Sequence, residues 1–169
     1  MILKIAVVGL GNAGLPLAAV IADHGIPVVG VDIDRRRCDL INSGKNPIPQ
    51  ESGLDELISR NGGQGLIATT EYRDASSCSV FIVIVPLFID ESHNPDFRTL
   101  ESAFRSLGGI LKQGDLVVLE TTVPPGTTEG PAITAARGSP ALPRPTTAIF
   151  RIIPPGLCVQ SPRSRRGTL

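Results

Sequence analysis

The chain has 169 residues, 41% of them hydrophobic, and its 16 basic and 16 acidic residues give a formal net charge of zero. This length supports one domain with a hydrophobic core, and no apolar run reaches the roughly 18 residues of a membrane-spanning helix. Residues 1–130 are mildly acidic, with 10 basic and 16 acidic residues. We therefore expect a cytoplasmic protein that has no signal peptide and no membrane or nucleic-acid partner.

The hydrophobic pattern predicts strands that alternate with helices. The predicted strands are Leu3–Val8, Val28–Val31, Leu66–Thr69, Val80–Val85 and Leu116–Leu119. The predicted helices are Asn12–Asp23, Arg35–Asn42, Leu54–Ser59 and Asp96–Leu111, with a short turn or helix at 74–77 and a loop from Leu87 to about Pro95. This order predicts an α/β fold, a Rossmann-type doubly wound parallel sheet that binds ligands beyond the carboxyl ends of its strands.

A glycine turn follows the first predicted strand and has the pattern of a dinucleotide-binding loop. Gly9 allows the tight exit from the strand, Gly11 lets a pyrophosphate approach the backbone, and Gly14 lets the helix pack closely on the sheet. The N–H groups and the positive dipole end of the helix then face the phosphates. The alternative is a glycine-rich turn that binds nothing, but the strand before it and the helix after it favour a dinucleotide.

An acid at the end of the second strand supports this interpretation. Asp32 lies 18 residues after Gly14, near the spacing of about 20 typical of the carboxylate that binds the ribose hydroxyls. That carboxylate would repel a 2′-phosphate, so the sequence favours NAD over NADP. Arg35, Arg36 and Arg37 follow directly and weaken this preference, although the first two equally fit a solvated helix start.

Three further segments narrow the interpretation. They are Val80-Phe-Ile-Val-Ile-Val-Pro-Leu-Phe-Ile-Asp-Glu91, Pro95-Asp-Phe97 and Leu119-Glu-Thr-Thr-Val-Pro-Pro-Gly-Thr-Thr128. With the glycine turn, they make residues 1–130 resemble the NAD-binding domain of the UDP-glucose/GDP-mannose dehydrogenase family. The last segment is similar to the branch that acts on UDP-N-acetylmannosamine and related N-acetylated sugars.

The resemblance implies a reaction and a set of cofactor-binding positions. The family dimerises through a central helix and oxidises the C6 alcohol of a nucleotide-linked sugar to a carboxylate, using NAD and a cysteine-bound intermediate. The matching cofactor positions are Gly9, Gly11, Asn12, Ala13, Gly14, Asp32, Arg37, Val85, Pro86 and Thr122. Thr122 also matches a residue that reaches the reaction centre, although its hydroxyl could simply be satisfied at a strand end. Leu87 stands where many relatives have threonine, which puts one cofactor hydrogen bond in doubt.

The part of the family that carries the nucleophilic cysteine is not recognisable in this sequence. Cys158 lacks the flanking glycines and the following lysine of that loop, and Cys38 and Cys78 are interpreted as packing residues. An odd number of cysteines without metal-ligand spacing indicates reduced thiols and no metal site. We therefore expect an incomplete enzyme that binds NAD weakly or not at all and oxidises no sugar alone.

The last 39 residues differ in composition from the rest. Residues 131–169 contain seven prolines, six arginines and no acidic residue, which favours irregular or disordered structure. We expect an NAD-binding domain at 1–130 and a tail at 131–169 produced by a reading-frame shift or a truncated gene. The alternative is a basic tail in which 163–166 contacts nucleic acid or an acidic surface.

Two other functions stay open at this stage. The chain could be a non-catalytic NAD-sensing or scaffolding module, which would bind NAD tightly. It could also be another Rossmann dehydrogenase of the hydroxyacid or hydroxyacyl type, but the motif at Glu120–Thr128 argues against this.

Overall fold

The computed structural model describes residues 3–48, 51–89 and 95–121. Thr122 and the predicted tail therefore lie outside the described residues. The strands are β1 (Ile5–Val8), β2 (Val28–Val31), β3 (Leu66–Thr69), β4 (Val80–Val83), β5 (Phe88–Ile89), β6 (Pro95–Asp96) and β7 (Leu116–Leu119). The helices are α1 (Gly14–Asp23), α2 (Arg35–Asn42), α3 (Leu54–Asn61) and α4 (Arg98–Gly108), with a 3₁₀ turn at Tyr72–Ala75.

Five of these strands form one parallel sheet in the order β3-β2-β1-β4-β7, which confirms the predicted doubly wound fold. The chain runs outward from β1 to β2 and β3 and then returns to pair β4 on the other side of β1. This reversal opens a crevice at the carboxyl ends of β1 and β4, the position at which doubly wound sheets bind their ligands.

The core lies on both faces of the sheet, and β1 contributes to each. Ile5 and Val7 belong to the cluster formed with α1, α2 and α3, whereas Ala6 and Val8 belong to the cluster formed with α4. All four side chains are buried, which explains why the strand is a continuous apolar run instead of an alternating one. Within the described ranges, no helix is long and apolar enough to cross a bilayer.

Several predicted boundaries are wrong for identifiable reasons. The predicted loop after β4 contains two short antiparallel strands, β5 and β6, whose two-residue length falls below what periodicity can detect. The helix predicted from Asp96 begins at Arg98, because Asp96 lies in β6 and its carboxylate accepts the Arg98 N–H at 3.0 Å. The strand predicted to reach Val85 ends at Val83.

Two glycines allow α1 to pack tightly on the sheet. A Cβ atom at Gly14 would lie 1.8 Å from the Gly9 carbonyl oxygen, and one at Gly9 would lie 2.3 Å from the Ile84 carbonyl oxygen. Gly9 also has a φ of +95°, which side-chain-bearing residues rarely adopt. The turn is therefore held between α1 and the end of β4 at distances that only glycine permits.

Replacing Gly14 with alanine should destabilise the fold by roughly 1–3 kcal/mol, because the added methyl would meet main-chain atoms that can move only with the turn. Urea denaturation gives the change in the free energy of unfolding. The matched control is Gly11→Ala, where a Cβ would meet no atom within 4 Å and the change should stay below about 0.5 kcal/mol. Equal losses in the two variants would contradict this account of the turn.

Candidate dinucleotide-binding site

The glycine turn is anchored at the carboxyl end of β1 by contacts with β2. The Gly9 N–H donates to the Val31 carbonyl at 2.8 Å, and the side chain of Leu10 is fully buried. Gly30 makes room for it in β2, since a Cβ there would lie 2.7 Å from Leu10 Cδ1. A glycine inside a buried strand is unusual, and here it is explained by this close approach.

The outer part of the turn contains main-chain donors that are not used within the turn. The N–H groups of Gly11, Asn12 and Ala13 have no acceptor within the described part of the chain, whereas the Leu15 N–H, further into the helix, donates to the Gly11 carbonyl at 3.0 Å. Asn12 and Ala13 are exposed, and the space where Gly11 lacks a Cβ is open. Free N–H groups at the positive end of a helix suit a pyrophosphate, so the residues present fit the cofactor that the sequence predicts.

Asp32 joins this turn to the end of β2. Its Oδ2 accepts the Leu10 N–H at 2.7 Å, and its Oδ1 accepts the Asp34 N–H at 2.9 Å. Its own N–H donates to the Thr69 carbonyl at 3.0 Å, which continues the ladder with β3. The predicted ribose-binding acid therefore lies at the edge of the crevice and holds the predicted pyrophosphate loop directly.

Arg37 forms an ion pair with this acid. Its Nη1 lies 3.1 Å from Oδ2 and 3.3 Å from Oδ1 of Asp32, and the two side chains are 31% and 6% exposed. The start of α2 sets this geometry, because Asp34 caps the helix by accepting the Arg37 N–H at 3.2 Å. Arg35 and Arg36 are exposed, as the interpretation of a solvated helix start predicts. The structure thus brings Asp32 and Arg37 together, and the pairing itself was not predicted from the sequence.

Tyr72 is a second neighbour of this acid that sequence reasoning missed. Burial raises the pKa of the Tyr72 hydroxyl, and the negative charge of Asp32 raises it further. The ring lies on the 3₁₀ turn after β3 and packs against the cluster that contains Val31 and Phe81. A single tyrosine in a short polar segment carries no periodic signal, so the sequence alone could not place it here.

The opposite wall of the crevice is the exit of β4, residues 84–86. Val85 is buried, and its Cγ1 would lie 3.5 Å from a Cβ at Gly9. The Val85 carbonyl accepts a hydrogen bond from the Thr121 hydroxyl at 2.8 Å, and Pro86 follows. The predicted residue Val85 therefore borders the glycine turn, and the predicted residue Pro86 follows it in the chain. Thr121 was not predicted, although it belongs to the Thr-Thr pair that the sequence singled out.

The two described cysteines are packing residues, as predicted. Cys38 and Cys78 are buried and unpaired. Burial raises the pKa of both thiols, and for Cys38 the charge of Asp32 adds to this effect. The Cys38 Sγ lies 3.8 Å from the Asp32 carbonyl, to which it donates. A buried thiol with a raised pKa is a poor nucleophile, which agrees with the interpretation of both cysteines as packing residues.

Comparisons with known proteins agree with this geometry. Residues 3–141 match the model of the UDP-glucose/GDP-mannose dehydrogenase family, NAD binding domain. The UDP-N-acetyl-D-mannosamine dehydrogenase of Campylobacter jejuni is 41% identical over 127 residues, which cover 75% of this chain and 30% of that protein. The NDP-N-acetyl-D-galactosaminuronic acid dehydrogenase of Ralstonia nicotianae is 44% identical over 126 residues, which cover 74% of this chain and 29% of that protein.

A solved structure shows the same arrangement of elements. The UDP-D-ManNAc dehydrogenase of Pyrococcus horikoshii is similar with a TM-score of 0.74 and 36% identity, over 80% of this chain and 32% of that chain. The chain thus spans about a third of the length of the relatives that it matches.

Replacing Arg37 with glutamine should lower the free energy of unfolding by about 1–2 kcal/mol. This loss lies between the losses expected for breaking an exposed and a fully buried ion pair, because the Asp32 carboxylate is buried but keeps two N–H donors. Arg36→Gln removes the same charge from an exposed position of the same helix and should change the stability by less than about 0.5 kcal/mol. Equal effects of the two substitutions in urea denaturation would show that the pair does not stabilise the fold.

Cys38 and Cys78 should resist iodoacetamide in the folded chain and react in urea, as measured by peptide mass spectrometry. The raised pKa of both thiols also predicts that the free energy of unfolding depends on pH. The stability that they contribute is complete below the ordinary value of 9.0 and declines as the pH rises through the higher folded-state value. The midpoint of urea denaturation should therefore shift to lower urea concentrations as the pH rises above 9.0. Rapid labelling of both residues without denaturant would contradict their assignment as packing residues.

Proposed function

Because this chain belongs to the UDP-glucose/GDP-mannose dehydrogenase family and matches its NAD-binding domain, we propose that it is the cofactor-binding portion of a nucleotide-sugar 6-dehydrogenase. The observation that carries the proposal is the glycine turn, which a buried acid holds and in which the N–H groups of Gly11, Asn12 and Ala13 have no acceptor among the described residues. We propose a UDP-linked N-acetylated hexosamine such as UDP-N-acetylmannosamine as the substrate, since relatives named for such sugars share about two fifths of the aligned residues.

We assign the cofactor along the carboxyl edge of the sheet. The pyrophosphate is assigned to Gly9, Gly11, Asn12, Ala13 and Gly14, the adenosine ribose to Asp32 and Arg37, and the nicotinamide side to Val85, Pro86 and Thr122. NAD, when bound, supplies the hydride acceptor for oxidation of the sugar. The residues of this chain bind and orient it: the turn holds the phosphates, and the Asp32 carboxylate accepts from a ribose hydroxyl and disfavours a 2′-phosphate.

We propose that this chain alone does not complete the oxidation. Conversion of an aldehyde to a carboxylate by this chemistry requires a thiolate that attacks the carbonyl, so that hydride leaves a tetrahedral adduct. Cys38 and Cys78 are buried, and the chain spans about a third of the length of its relatives. Dimerisation, which the family resemblance implies, would likewise depend on parts of the protein beyond the described sheet.

The proposal predicts weak but measurable binding of NAD, weaker binding of NADP, and no formation of NADH from UDP-N-acetylmannosamine. Calorimetry with the purified chain measures the binding, and NADH absorbance follows turnover. Gly11→Ala should retain the fold and reduce NAD affinity about tenfold or more, because its methyl would enter the open space assigned to the phosphates.

The alternative outcomes are distinct. NADH formation by the purified chain would contradict the proposed incompleteness. Submicromolar binding of NAD without turnover would favour an NAD-sensing module instead. Unchanged NAD affinity in the Gly11 variant would remove the turn from the binding site.

A further inference from the structure

The connection between β4 and β7 continues past the last paired residues. The Leu116 N–H donates to the Ser79 carbonyl and the Glu120 N–H to the Val83 carbonyl, both at 2.9 Å. The next carbonyl in this series, that of Val85, accepts instead from the Thr121 hydroxyl at 2.8 Å. A side chain therefore extends the contact between the two strands after the regular pairing of β4 has ended at Val83.

The β4 exit is held from its other side by the glycine turn. A Cβ at Gly9 would lie 2.3 Å from the Ile84 carbonyl oxygen and 3.5 Å from Val85 Cγ1, so the two backbones are in close contact. The Ile84 N–H donates to the Val8 carbonyl at 2.8 Å, and Pro86 has no N–H to donate. Within the described residues, Thr121 thus fixes the side of the β4 exit that faces away from the glycine turn.

We propose that Thr121 is a positioning residue for the nicotinamide end of the cofactor. Its hydroxyl holds the β4 exit, which forms one wall of the crevice. The same hydrogen bond fixes the main chain of Thr121 itself, the residue that precedes Thr122. This role rests on the proposed function, because it presupposes that NAD lies across the carboxyl ends of β1 and β4. Thr121 acts through Val85 and the adjoining main chain and does not itself need to touch the cofactor.

The two ends of the crevice should respond differently to loss of this hydroxyl. The Val85 carbonyl would lose its partner, and a buried carbonyl without a partner shifts toward water or another donor. The adenosine end lies on the other side of β1, where Asp32 binds the Leu10 and Asp34 N–H groups. No contact of Thr121 reaches that end in the described part of the chain, so adenine binding should be retained.

Saturation-transfer NMR on the full chain with NAD separates the two ends within a single ligand. Thr121→Val keeps the shape of the side chain and removes the hydroxyl, and it should lower the ratio of nicotinamide to adenine proton signals about threefold. Thr121→Ser keeps the hydroxyl and should restore the ratio. Thr121→Ala provides a second deletion of the hydroxyl if the valine variant does not fold. The matched control is Ser106→Ala in α4, which removes a hydroxyl that donates to the Ser102 carbonyl at 3.0 Å and should leave the ratio unchanged.

An unchanged ratio in the folded valine or alanine variant would overturn the proposal. So would an equal loss of both signals with reduced stability, because a purely structural role affects both ends alike. Absence of any transfer from the wild-type chain to NAD would overturn the proposed function and this role with it. A loss of the nicotinamide signal that serine restores would establish Thr121 as a positioning residue.

Discussion

The hydrogen bond from the Leu10 N–H to the Asp32 carboxylate is the interaction on which the site depends. At 2.7 Å, it joins the turn after β1 to the end of β2 through a side chain that is only 6% exposed. A charge so buried requires donors on most of its lone pairs, and Leu10, Asp34 and Arg37 provide them. The carboxylate thereby holds the turn in a conformation in which the N–H groups of Gly11, Asn12 and Ala13 have no acceptor among the described residues.

This arrangement is possible only because the sheet brings distant parts of the sequence to one edge. Parallel pairing aligns the carboxyl ends of β1, β2 and β4, and an α-helix lies in the connections from β1 to β2, from β2 to β3 and from β4 to β7. The same pairing buries β1 on both faces, so its apolar run stabilises the fold and positions the turn together. The same residues therefore stabilise the fold and position the candidate site. A substitution in the turn should be tested for its effect on the free energy of unfolding and on cofactor binding.

The sequence predicts most of what depends on local pattern. The alternation of strands and helices, the glycine turn and the acid at the end of β2 follow from apolar runs and residue spacing, and the structure places Asp32 at the end of β2 in contact with this turn. The ion pair with Arg37, the position of Tyr72 and the contact of Thr121 with Val85 were not predicted. Each depends on side-chain geometry between segments, and a single sequence contains no periodic signal for it. The short pair β5 and β6 was missed for a different reason, since two residues do not define a period.

The two ends of the crevice differ in the number of hydrogen bonds that hold them and in the distance along the chain that these bonds span. At the adenosine end, the acid, its donors and the helix start all lie within residues 9–37, close in sequence and joined by short hydrogen bonds. At the opposite end, the wall depends on the exits of β4 and β7, which are 36 residues apart where Thr121 contacts Val85. Both ends depend on the folded sheet, but the first is held by several hydrogen bonds to one buried carboxylate, whereas one side-chain hydrogen bond joins Thr121 to Val85. Affinity for the adenosine half should therefore be the more robust property of this chain, while placement of the nicotinamide half should depend on how the end of β7 is held.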